Sequence, residues 1–380
     1  MLSEMKPKVL FYTKLNFGNE AHSGISKKIF AQAKALRRLD IETDLLYFRN
    51  NEVVISNGDY EQIFRYNNKW KRFFFQFFSF STAIDLRQYT HIYIRHFFLN
   101  PFAILLLKKL KKANPSVKIV MEIASYPYHD QVRHDDVEDR IRYGLDKVLC
   151  TYLKKYVDRI LTFSAFDRIF DIPTIKTSNG VDIDGLFPKK PTALSEEFHI
   201  LGLANVQHWH GFDRIIAGMS SYHHQFPVYF HIVGKGDAIS ALKRQSVEAG
   251  LEKTVIFHGA KYGDELQAFF DTCHLGVSSL GMHRIGVANG ETSNLKVREY
   301  CARGIPFING YLDRDIPANF PFVFQVAADE SPVNIEQTIS FYRNLLLLYP
   351  DYPGNLHEFA KNNLTWEAKF KVLRQWILSS

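Results

Sequence analysis

Short apolar runs and longer amphipathic segments alternate along most of this chain. The runs have the length of buried β-strands, whereas the segments between them repeat apolar residues every three or four positions, as α-helices do. A helix is expected over residues 25–39. The expected strands of the first half are residues 8–12, 44–48, 91–94, 117–121 and 159–163. Strands that alternate with helices predict a mostly parallel, doubly wound α/β sheet.

A second alternation of the same kind follows a polar stretch, residues 188–197, whose Pro, Lys and Ser content is typical of a linker. Its expected strands are residues 199–203, 228–233, 254–258, 275–279 and 306–308. One hydrophobic core rarely serves a chain of 380 residues, so two domains are expected. We predict domains over residues 1–187 and 188–365, with a C-terminal helix, 366–380, that packs back on the first domain.

Composition favours a globular protein over a disordered one, because 46% of the residues are hydrophobic and 23% are charged. The three cysteines, Cys150, Cys273 and Cys301, are too scattered for a zinc cluster and indicate a reducing compartment. No secretory signal is visible, and no apolar run approaches the ~18 residues that span a bilayer. The sequence therefore predicts a cytoplasmic protein.

Positive charge is concentrated in the first half. The net charge is +7, and residues 1–190 hold 31 of the 47 Lys and Arg residues but 21 of the 40 Asp and Glu residues. Residues 69–80 mix cations with aromatic rings, and residues 108–112 contain four lysines. Both patterns fit peripheral contact with an anionic membrane at its inner face. They fit a core helix with a basic first turn and a solvated helix end equally well.

Two carboxylates, Glu291 and Glu299, flank the expected start of a helix after a Gly-led loop. The helical rise would place them roughly 12 Å apart, about the distance from a sugar ring to a nucleotide ribose. Unpaired N–H groups at the helix start, together with the helix dipole, favour an anion such as a diphosphate. The alternative is an ordinary amphipathic helix on which Glu299 pairs with Arg303.

An ordered series of motifs across residues 175–310 resembles the nucleotide-sugar-binding domain of the retaining GT-B glycosyltransferases, in particular family 4. The matching segments are residues 178–182, 209–213, 233–236, 257–259, 264–266 and 278–279, the Glu291 and Glu299 pair, and residues 302–306. The resemblance implies the GT-B fold, in which two Rossmann-like domains face each other across a cleft. Residues 122–128 are similar to those of enzymes that build bacterial surface polysaccharides.

The resemblance implies that the second domain binds the donor. Glu299 would accept hydrogen bonds from ribose hydroxyls, and Glu291 would contact the donor sugar as a catalytic residue. The backbone N–H groups of residues 292–295 would hold the diphosphate. The donor-binding candidates besides Glu299 lie at strand ends and at the helix start; they are Gly234, Gly236, His210, His258, Gly259, Lys261, Thr292, Ser293, Asn294 and Leu295.

By the same resemblance, the first domain would bind the acceptor. Glu122 and His129 are its catalytic candidates, and Gly24, Arg95 and Tyr126 are its acceptor-side candidates. Gly24 opens the first helix, whereas the other four follow or end later strands. We therefore expect them to meet at the carboxyl edge of the first sheet.

Two departures from the family pattern affect these sites. Many members hold the diphosphate with an Arg and a Lys just before the glycine that corresponds to Gly211, where this chain has Ala204-Asn205 and His210. Ala124 stands where many members have a strand-end histidine. The missing positive charge would have to come from a protonated His210, or from Lys235, Lys296, His283 or Arg284.

The expected donor is a nucleotide-diphosphate sugar, in the first place a UDP-sugar, and the expected acceptor is a glycan or a lipid-linked molecule. We expect no further cofactor, no metal and no nucleic acid, since residues 182–184 fit a loop cap better than a metal site and no nucleic-acid-binding motif is present. Retention implies that the departing diphosphate takes the acceptor proton. The alternative is a catalytically degenerate GT-B scaffold acting as a partner subunit.

Overall fold

The chain divides into two compact units in the computed structural model. The first unit consists of Met1–Ser178 together with Trp366–Ser380, and the second consists of Asn179–Thr365. The residues that the structure describes are 6–18, 23–75, 84–128, 137–224, 226–286 and 292–380.

The segment after residue 178 was expected to belong to the first domain and to a linker, but the structure packs it in the second unit. Val181 and Ile183 pack against the core of the second unit, and so does Leu194 within the stretch expected as a linker. The Val181 N–H also donates to the Leu364 carbonyl oxygen at 2.9 Å. The chain therefore enters the second unit at Asn179, earlier than residue 187, because these apolar side chains are buried there.

The first unit is built on one sheet, nine-stranded within the described residues. Its strands are β1 (Lys8–Asn16), β2 (Glu42–Arg49), β3 (Glu52–Ser56), β4 (Glu61–Arg65), β5 (His91–Arg95), β6 (Lys118–Ile123), β7 (Arg159–Thr162), β8 (Arg168–Ile169) and β9 (Ile172–Lys176). They lie in the order β4-β3-β2-β1-β5-β6-β7-β9-β8. Strands β2, β1, β5, β6, β7 and β9 run parallel, whereas β3, β4 and β8 pair antiparallel to their neighbours.

Hydrophobic cores cover both faces of this sheet. Leu10 and Tyr12 belong to one core, and the alternating residues Val9 and Phe11 belong to the other. A strand buried on both faces reads as a continuous apolar run because successive side chains point in opposite directions. The described helices before residue 178 are α1 (Ser23–Arg38), α2 (Lys69–Phe74), α3 (Pro101–Ala113) and α4 (Val137–Leu149).

The second unit is built on a fully parallel sheet. Its strands are β10 (Phe198–Leu203), β11 (Val228–Val233), β12 (Val255–Gly259), β13 (Leu275–Val277), β14 (Phe307–Asn309) and β15 (Val323–Gln325), in the order β12-β11-β10-β13-β14-β15. Its helices are α5 (Phe212–Ser220), α6 (Ile239–Glu248), α7 (Gly263–Thr272), α8 (Leu295–Arg303), α9 (Ile335–Leu348) and α10 (Tyr352–Asn363). The strand order reverses at β10, which places a ligand-binding crevice at the carboxyl ends of β10 and β13.

The chain ends in two short helices, α11 (Trp366–Lys369) and α12 (Lys371–Ser379), where the apolar pattern predicts one. Trp366, Phe370, Leu373 and Ile377 join the same core as Val9 of the first unit. The helix is interrupted at Phe370, whose φ of −93° and ψ of 3° leave the helical region. This C-terminal segment therefore completes the core of the first unit.

The sequence pattern did not predict the antiparallel strand pairs at the edges of the first sheet. Strands β3 and β4 form a hairpin with Val54 opposite Ile63. A signal for it is present, because Asn57-Gly58 follows the apolar run of β3 and Gly58 has a φ of +107°, as a tight turn requires. In the sequence, two strands this short show too little apolar periodicity to be distinguished from a loop.

The two charged segments that fit membrane contact are described only in part. Helix α2 covers the start of the 69–80 segment, and residues 76–80 lie outside the described residues. The lysines of 108–112 form the end of α3, where Lys111 donates to the Val117 carbonyl oxygen at 2.7 Å and pairs with Asp158 at 2.9 Å. Within the described chain, no helix combines the length and apolar character needed to cross a membrane.

The sequence pattern of α8 also fits a solvated amphipathic helix, and the burial of Arg298 is what differs most from that alternative. Its side chain is 0% exposed and pairs with both Asp313 and Asp315. Its Nε donates to the Asn179 carbonyl oxygen at 3.1 Å. Burial opposes the charge, but the two carboxylates raise the pKa of Arg298 above its ordinary value. This ion cluster fixes the start of the second unit against α8.

Replacement of Arg298 tests that structural role. Arg298→Met keeps most of the side-chain volume but leaves Asp313 buried without a counter-charge, so the free energy of unfolding should fall by about 3–5 kcal/mol. Arg244→Met, at an exposed position of α6, should change it by less than about 0.5 kcal/mol. Urea denaturation followed by circular dichroism measures both, and equal stabilities of the two variants would contradict this role.

Candidate functional site

The first candidate site lies at the carboxyl edge of the second sheet. Loops that follow β10, β11 and β13 meet there beside the start of α8. The Leu280 N–H donates to the His210 carbonyl oxygen at 2.9 Å and the Gly281 N–H to that of Trp209 at 3.2 Å, so the loops after β10 and β13 are joined directly. A helix start at this edge is where parallel α/β folds bind phosphate groups.

Gly234 and Gly236 permit a close approach of two loops. Gly234 has a φ of +138°, and a Cβ there would lie 1.8 Å from the Ala204 carbonyl oxygen. Gly236 has a φ of +147°, and its Cβ would lie 2.1 Å from the Val206 carbonyl oxygen. The loop after β11 therefore packs on the loop after β10 at a distance that only glycine allows. The geometry requires both glycines whether or not a nucleotide passes beside them.

Residues 292–295 lead into α8 and are anchored from two sides. Ser293 Oγ accepts from the Asn179 N–H at 3.0 Å, and the Ser293 carbonyl oxygen accepts from Asn179 Nδ2 at 2.6 Å. Asn294 Nδ2 donates to Ser279 Oγ at 3.2 Å. The first N–H groups of a helix have no partner within the helix, so this fixed turn carries the positive end of the helix dipole. The Asn294 N–H bonds to the Tyr311 hydroxyl.

Glu299 occupies one turn further along α8. Its Oε1 accepts from Arg303 Nε at 3.0 Å, the i,i+4 pair that the amphipathic alternative predicts. Arg303 also packs over the Phe270 ring at 4.3 Å and donates to Gln267. The Glu299 side chain keeps a third of its surface exposed, so its second oxygen is accessible to a ligand hydroxyl.

Most candidate substitutes for the missing cations are engaged or neutral. His210 Nδ1 accepts from the Gln207 N–H at 2.9 Å, and burial, with the nearby Lys296 charge, lowers the pKa of His210 to about 3. His210 is therefore neutral at physiological pH. Arg284 pairs with Asp213 and Glu330, and His283 lies 2.6 Å from Glu330.

Lys296 is a cation in the first turn of α8. Its Nζ donates to the Ser278 carbonyl oxygen at 2.7 Å and lies 5.7 Å from the Phe212 ring centre. Burial lowers the pKa of Lys296 to about 7, because the charged ammonium loses hydration there. A bound anion would favour the charged form. Lys235 is exposed on the loop after β11.

The candidates expected to border a base lie in and after β12. His258 is the last of three histidines on adjacent strands: His199 Nδ1 lies 2.9 Å from His231 Nε2, and His231 Nδ1 lies 3.0 Å from His258 Nε2. Burial lowers the pKa of His231 to about 4 and that of His258 below its ordinary value, so these two histidines are neutral at pH 7. The Gly259 carbonyl oxygen accepts from the Gly234 N–H at 2.7 Å.

Lys261, the third of these candidates, lies in the loop between β12 and α7. Its Nζ is 2.6 Å from Glu265 Oε1 on the first turn of α7. An exposed pair of this kind contributes little to stability. The Lys261 side chain is consequently free to exchange this partner for a ligand group.

Glu122 forms the centre of the second candidate site, at the carboxyl edge of the first sheet. It accepts from Tyr93 at 2.5 Å, from Arg95 at 3.1 Å and from Gln32 at 3.1 Å, and pairs with Lys28 at 3.4 Å. Burial would raise its pKa, but these charges and hydrogen bonds hold the pKa of Glu122 at about 2. The carboxylate is therefore a weak base that orients two cations.

A cavity of about 220 Å³ opens beside Glu122. Its wall combines the ends of β5 and β6 with the residues that follow them; it is formed by Arg95, His96, Phe97, Phe98, Glu122, Ile123, Ala124, Ser125 and Tyr128. Arg95 keeps about a fifth of its side chain exposed. Arg95 and Glu122 pair within this wall, so the wall presents both a cation and a carboxylate.

The other acceptor-side candidates are placed differently. Tyr126 packs edge-on against Phe166 and Phe170, with ring centres 5.1 and 5.5 Å away, and does not line the cavity beside Glu122. Gly24 lies in the first turn of α1, and a Cβ there would meet nothing within 4 Å. The two remaining catalytic candidates, His129 and Glu291, lie outside the described residues.

Sequence reasoning missed three partners of Glu122. Lys28 and Gln32 are four positions apart in α1, on one face of that helix, and Tyr93 lies within the apolar run of β5. A polar pair at i,i+4 on the inner face of an otherwise amphipathic helix could have identified the first two. The apolar run around Tyr93 gives no such signal.

A group of potential metal ligands lies next to the same cavity. His96, Asp146 and Cys150 place ligand atoms within 4.8 Å of one another. The Tyr128 hydroxyl lies among them, 2.5 Å from Asp146, 3.2 Å from Cys150 and 3.4 Å from His96, and the Leu99 N–H donates to Asp146 at 2.6 Å. Burial raises the pKa of the Cys150 thiol to about 12. The group fits a hydrogen-bonded network better than a metal site, which requires a thiolate.

Solved structures with the same fold cover nearly the whole chain. A sucrose-phosphate synthase from Thermosynechococcus elongatus matches with a TM-score of 0.60 and 15% identity over 99% of this chain and 100% of that one. HepE from Anabaena, in complex with UDP, matches with 0.62 and 14% over 98% and 100%. A glycosyltransferase from Rickettsia africae matches with 0.63 and 14% over 99% of both chains.

These likenesses establish the fold of the chain. It is the GT-B fold, with two Rossmann-like domains built on parallel sheets, and the fold class predicted from the sequence is confirmed. No protein-family profile matches the sequence, and no curated protein sequence matches it. At sequence identities near 15%, structural similarity establishes only the fold, so the activity has to be inferred from the chemistry of the candidate sites.

The loop contact at Gly234 can be tested with a matched pair of variants. Gly234→Ala should destabilise the second unit by more than about 3 kcal/mol, since it adds a steric clash to an unfavourable φ. Gly250→Ala, where φ is +67° and no atom lies within 4 Å, carries only the conformational cost of about 1–2 kcal/mol. Thermal unfolding compares the two, and equal losses would refute the close loop contact.

Proposed function

We propose that this protein is a retaining glycosyltransferase that moves a sugar from a UDP-sugar to a glycan or lipid-linked acceptor. The observation that carries the proposal is the anchored helix start of α8 at the carboxyl edge of a parallel sheet, in a chain with the GT-B fold. HepE, which shares that fold, has been solved with UDP and with UDP and glucose.

In this proposal the second unit binds the donor. The diphosphate lies against the N–H groups of Thr292, Ser293, Asn294 and Leu295, with Lys296 as its cationic partner. Glu299 accepts hydrogen bonds from the ribose hydroxyls through the oxygen that Arg303 does not occupy. The base lies beside the row that ends in His258, Gly259 and Lys261, and the loop with Gly234 and Gly236 passes close to it, with the neutral His210 beneath.

The first unit binds the acceptor. Arg95 lines the cavity beside Glu122 and would orient an acceptor hydroxyl or an anionic group of the acceptor. Glu122 acts by holding Arg95 and Lys28 in place. His129 is proposed as the residue that contacts the reacting hydroxyl, with Gly24 and Tyr126 at the margin of the acceptor site.

The reaction is proposed to proceed with retention. The departing diphosphate stays on the face that the acceptor hydroxyl approaches and takes its proton, while the C–O bond to the sugar breaks and the new glycosidic bond forms. Glu291 contacts the hydroxyls of the donor sugar. The helix dipole and Lys296 stabilise the charge that develops on the diphosphate. No metal and no cofactor besides the donor is required in this scheme.

The proposed setting is the cytoplasmic face of the cell membrane, in surface polysaccharide biosynthesis. Two features support it: the similarity of residues 122–128 to enzymes of that pathway class, and the excess of basic residues in the first half. Lipid-linked acceptors would bring the protein into peripheral contact with an anionic membrane surface.

Substitutions of the two glutamates separate donor binding from transfer. Glu299→Gln should weaken UDP binding about tenfold, because it loses charge-assisted hydrogen bonds to the ribose. Glu291→Gln should leave UDP binding unchanged but lower UDP-sugar turnover, measured as hydrolysis or transfer, by at least about 100-fold. The exposed Glu252→Gln serves as the matched control. Full turnover by Glu291→Gln with an intact fold would exclude its catalytic role.

A scaffold without activity is a second candidate function. It is favoured by the neutral His210 and by the pairing of Arg284 with two carboxylates, which leave the diphosphate with few cationic partners. A scaffold would hydrolyse none of a panel of nucleotide sugars. Turnover of any of them by the wild-type protein, and its loss in Glu291→Gln, would exclude it.

A further inference from the structure

Helix α4 presents an apolar stripe to solvent. Four side chains of this helix are strongly exposed: Val137 at 68%, Ile141 at 60%, Leu145 at 43% and Val148 at 62%. At about 100° per residue they fall within an arc of roughly 80°. Tyr152, in the turn that continues the helix, is 44% exposed. A helix of a globular unit normally turns such a stripe to the core.

The inward face of α4 is polar and firmly held. Asp146 is 0% exposed and accepts from the Leu99 N–H at 2.6 Å and from the Tyr128 hydroxyl at 2.5 Å. The His96 side chain, together with these two bonds, holds the pKa of Asp146 at about 2 against the effect of burial. Cys150, one turn later, is buried beside it. The buried carboxylate therefore fixes the rotation of the helix, and its apolar side faces outward as a consequence.

Basic side chains border the exposed stripe on both sides. Arg142 lies on one flank and Arg140 and Lys147 on the other, all three exposed; Lys154 and Lys155 follow in the next turn. Asp146 is buried, whereas Asp139 lies 3.6 Å from Arg142 and Asp171 pairs with Lys154 at 2.9 Å. Residues 137–155 hold five basic and three acidic residues, a net charge of +2. Apolar residues between basic flanks are typical of a helix that lies in the interface of an anionic bilayer.

We propose that α4 and the turn after it, residues 137–155, dock the protein on an anionic phospholipid surface. A second copy of the chain is the weaker occupant, because a two-fold contact would bring the same basic flanks together. The inference rests on the peripheral membrane contact proposed above and assigns it to a surface other than the two charged segments, 69–80 and 108–112.

A cavity lies beside this surface in the first unit. Arg142 and Leu145 of α4 line a space of about 300 Å³ together with Lys14, Phe97 and Phe98. The last two also line the cavity beside Glu122. A lipid-linked acceptor held at the docked helix would thus meet apolar rings and basic groups on its path toward Arg95.

Vesicle flotation with the full chain tests the docking surface. Wild-type protein should float with phosphatidylcholine vesicles that contain about 30% phosphatidylglycerol, and much less with phosphatidylcholine alone or at high salt. Ile141→Asp/Val148→Asp and Lys147→Glu should each lower the partition coefficient at least about tenfold. The control Leu347→Asp/Leu348→Asp changes two residues that are 73% and 72% exposed on α9 and should float like wild type.

Several outcomes would overturn the proposal. They are absence of wild-type flotation with anionic vesicles, unchanged flotation of the double variant, or an equal loss in the α9 control. A dimer by light scattering that Ile141→Asp/Val148→Asp dissociates would assign the stripe to a second copy instead. UDP binding and the unfolding midpoint of each variant are measured in parallel, so that failure of docking is distinguished from misfolding and from failure of the proposed donor site.

Discussion

The geometry of the candidate site in the second unit depends on one buried ion cluster, in which Arg298 bridges Asp313, Asp315 and the Asn179 carbonyl oxygen. A guanidinium without solvent contact needs several fixed acceptors to offset its lost hydration. Those acceptors come from the start of the second unit and from the segment after β14, and so both are tied to α8. Asn179 in turn holds Ser293, which leads into the helix start.

Electrostatics differ sharply between the two candidate sites. The first unit concentrates two cations, Lys28 and Arg95, around one carboxylate, Glu122, beside a cavity. The second unit has few cations available at the expected diphosphate position, because His210 is neutral and Arg284 is paired. Helix N–H groups and Lys296 would then carry most of the anion binding, an arrangement that relies on fixed backbone dipoles.

Much of the fold was predictable from the apolar pattern. Runs such as residues 228–233 read as strands because burial on both faces demands continuous apolar residues. The edge hairpin of β3 and β4 was missed because short strands lack periodicity. The end of the first unit at Ser178, earlier than expected, follows from packing of Val181 and Ile183, which no local pattern reports.

The candidate sites were predictable only where residues follow strands directly. Arg95 and Glu122 do lie together as expected, since parallel strands end at one edge. The burial of Arg298 was not predictable, because its partners are 15 and 17 positions away. The outward rotation of α4 was not predictable either: periodicity identifies an apolar stripe, whereas the hydrogen bonds of Asp146 decide which side faces the core.

Calorimetric titration of the wild-type chain with UDP, GDP and ADP measures most directly whether the edge of the second sheet binds a nucleotide diphosphate. The proposed function predicts one site per chain, with UDP bound at least about tenfold more tightly than GDP or ADP. Absence of binding by all three at millimolar concentration, with the chain folded, would contradict the donor site and favour the scaffold.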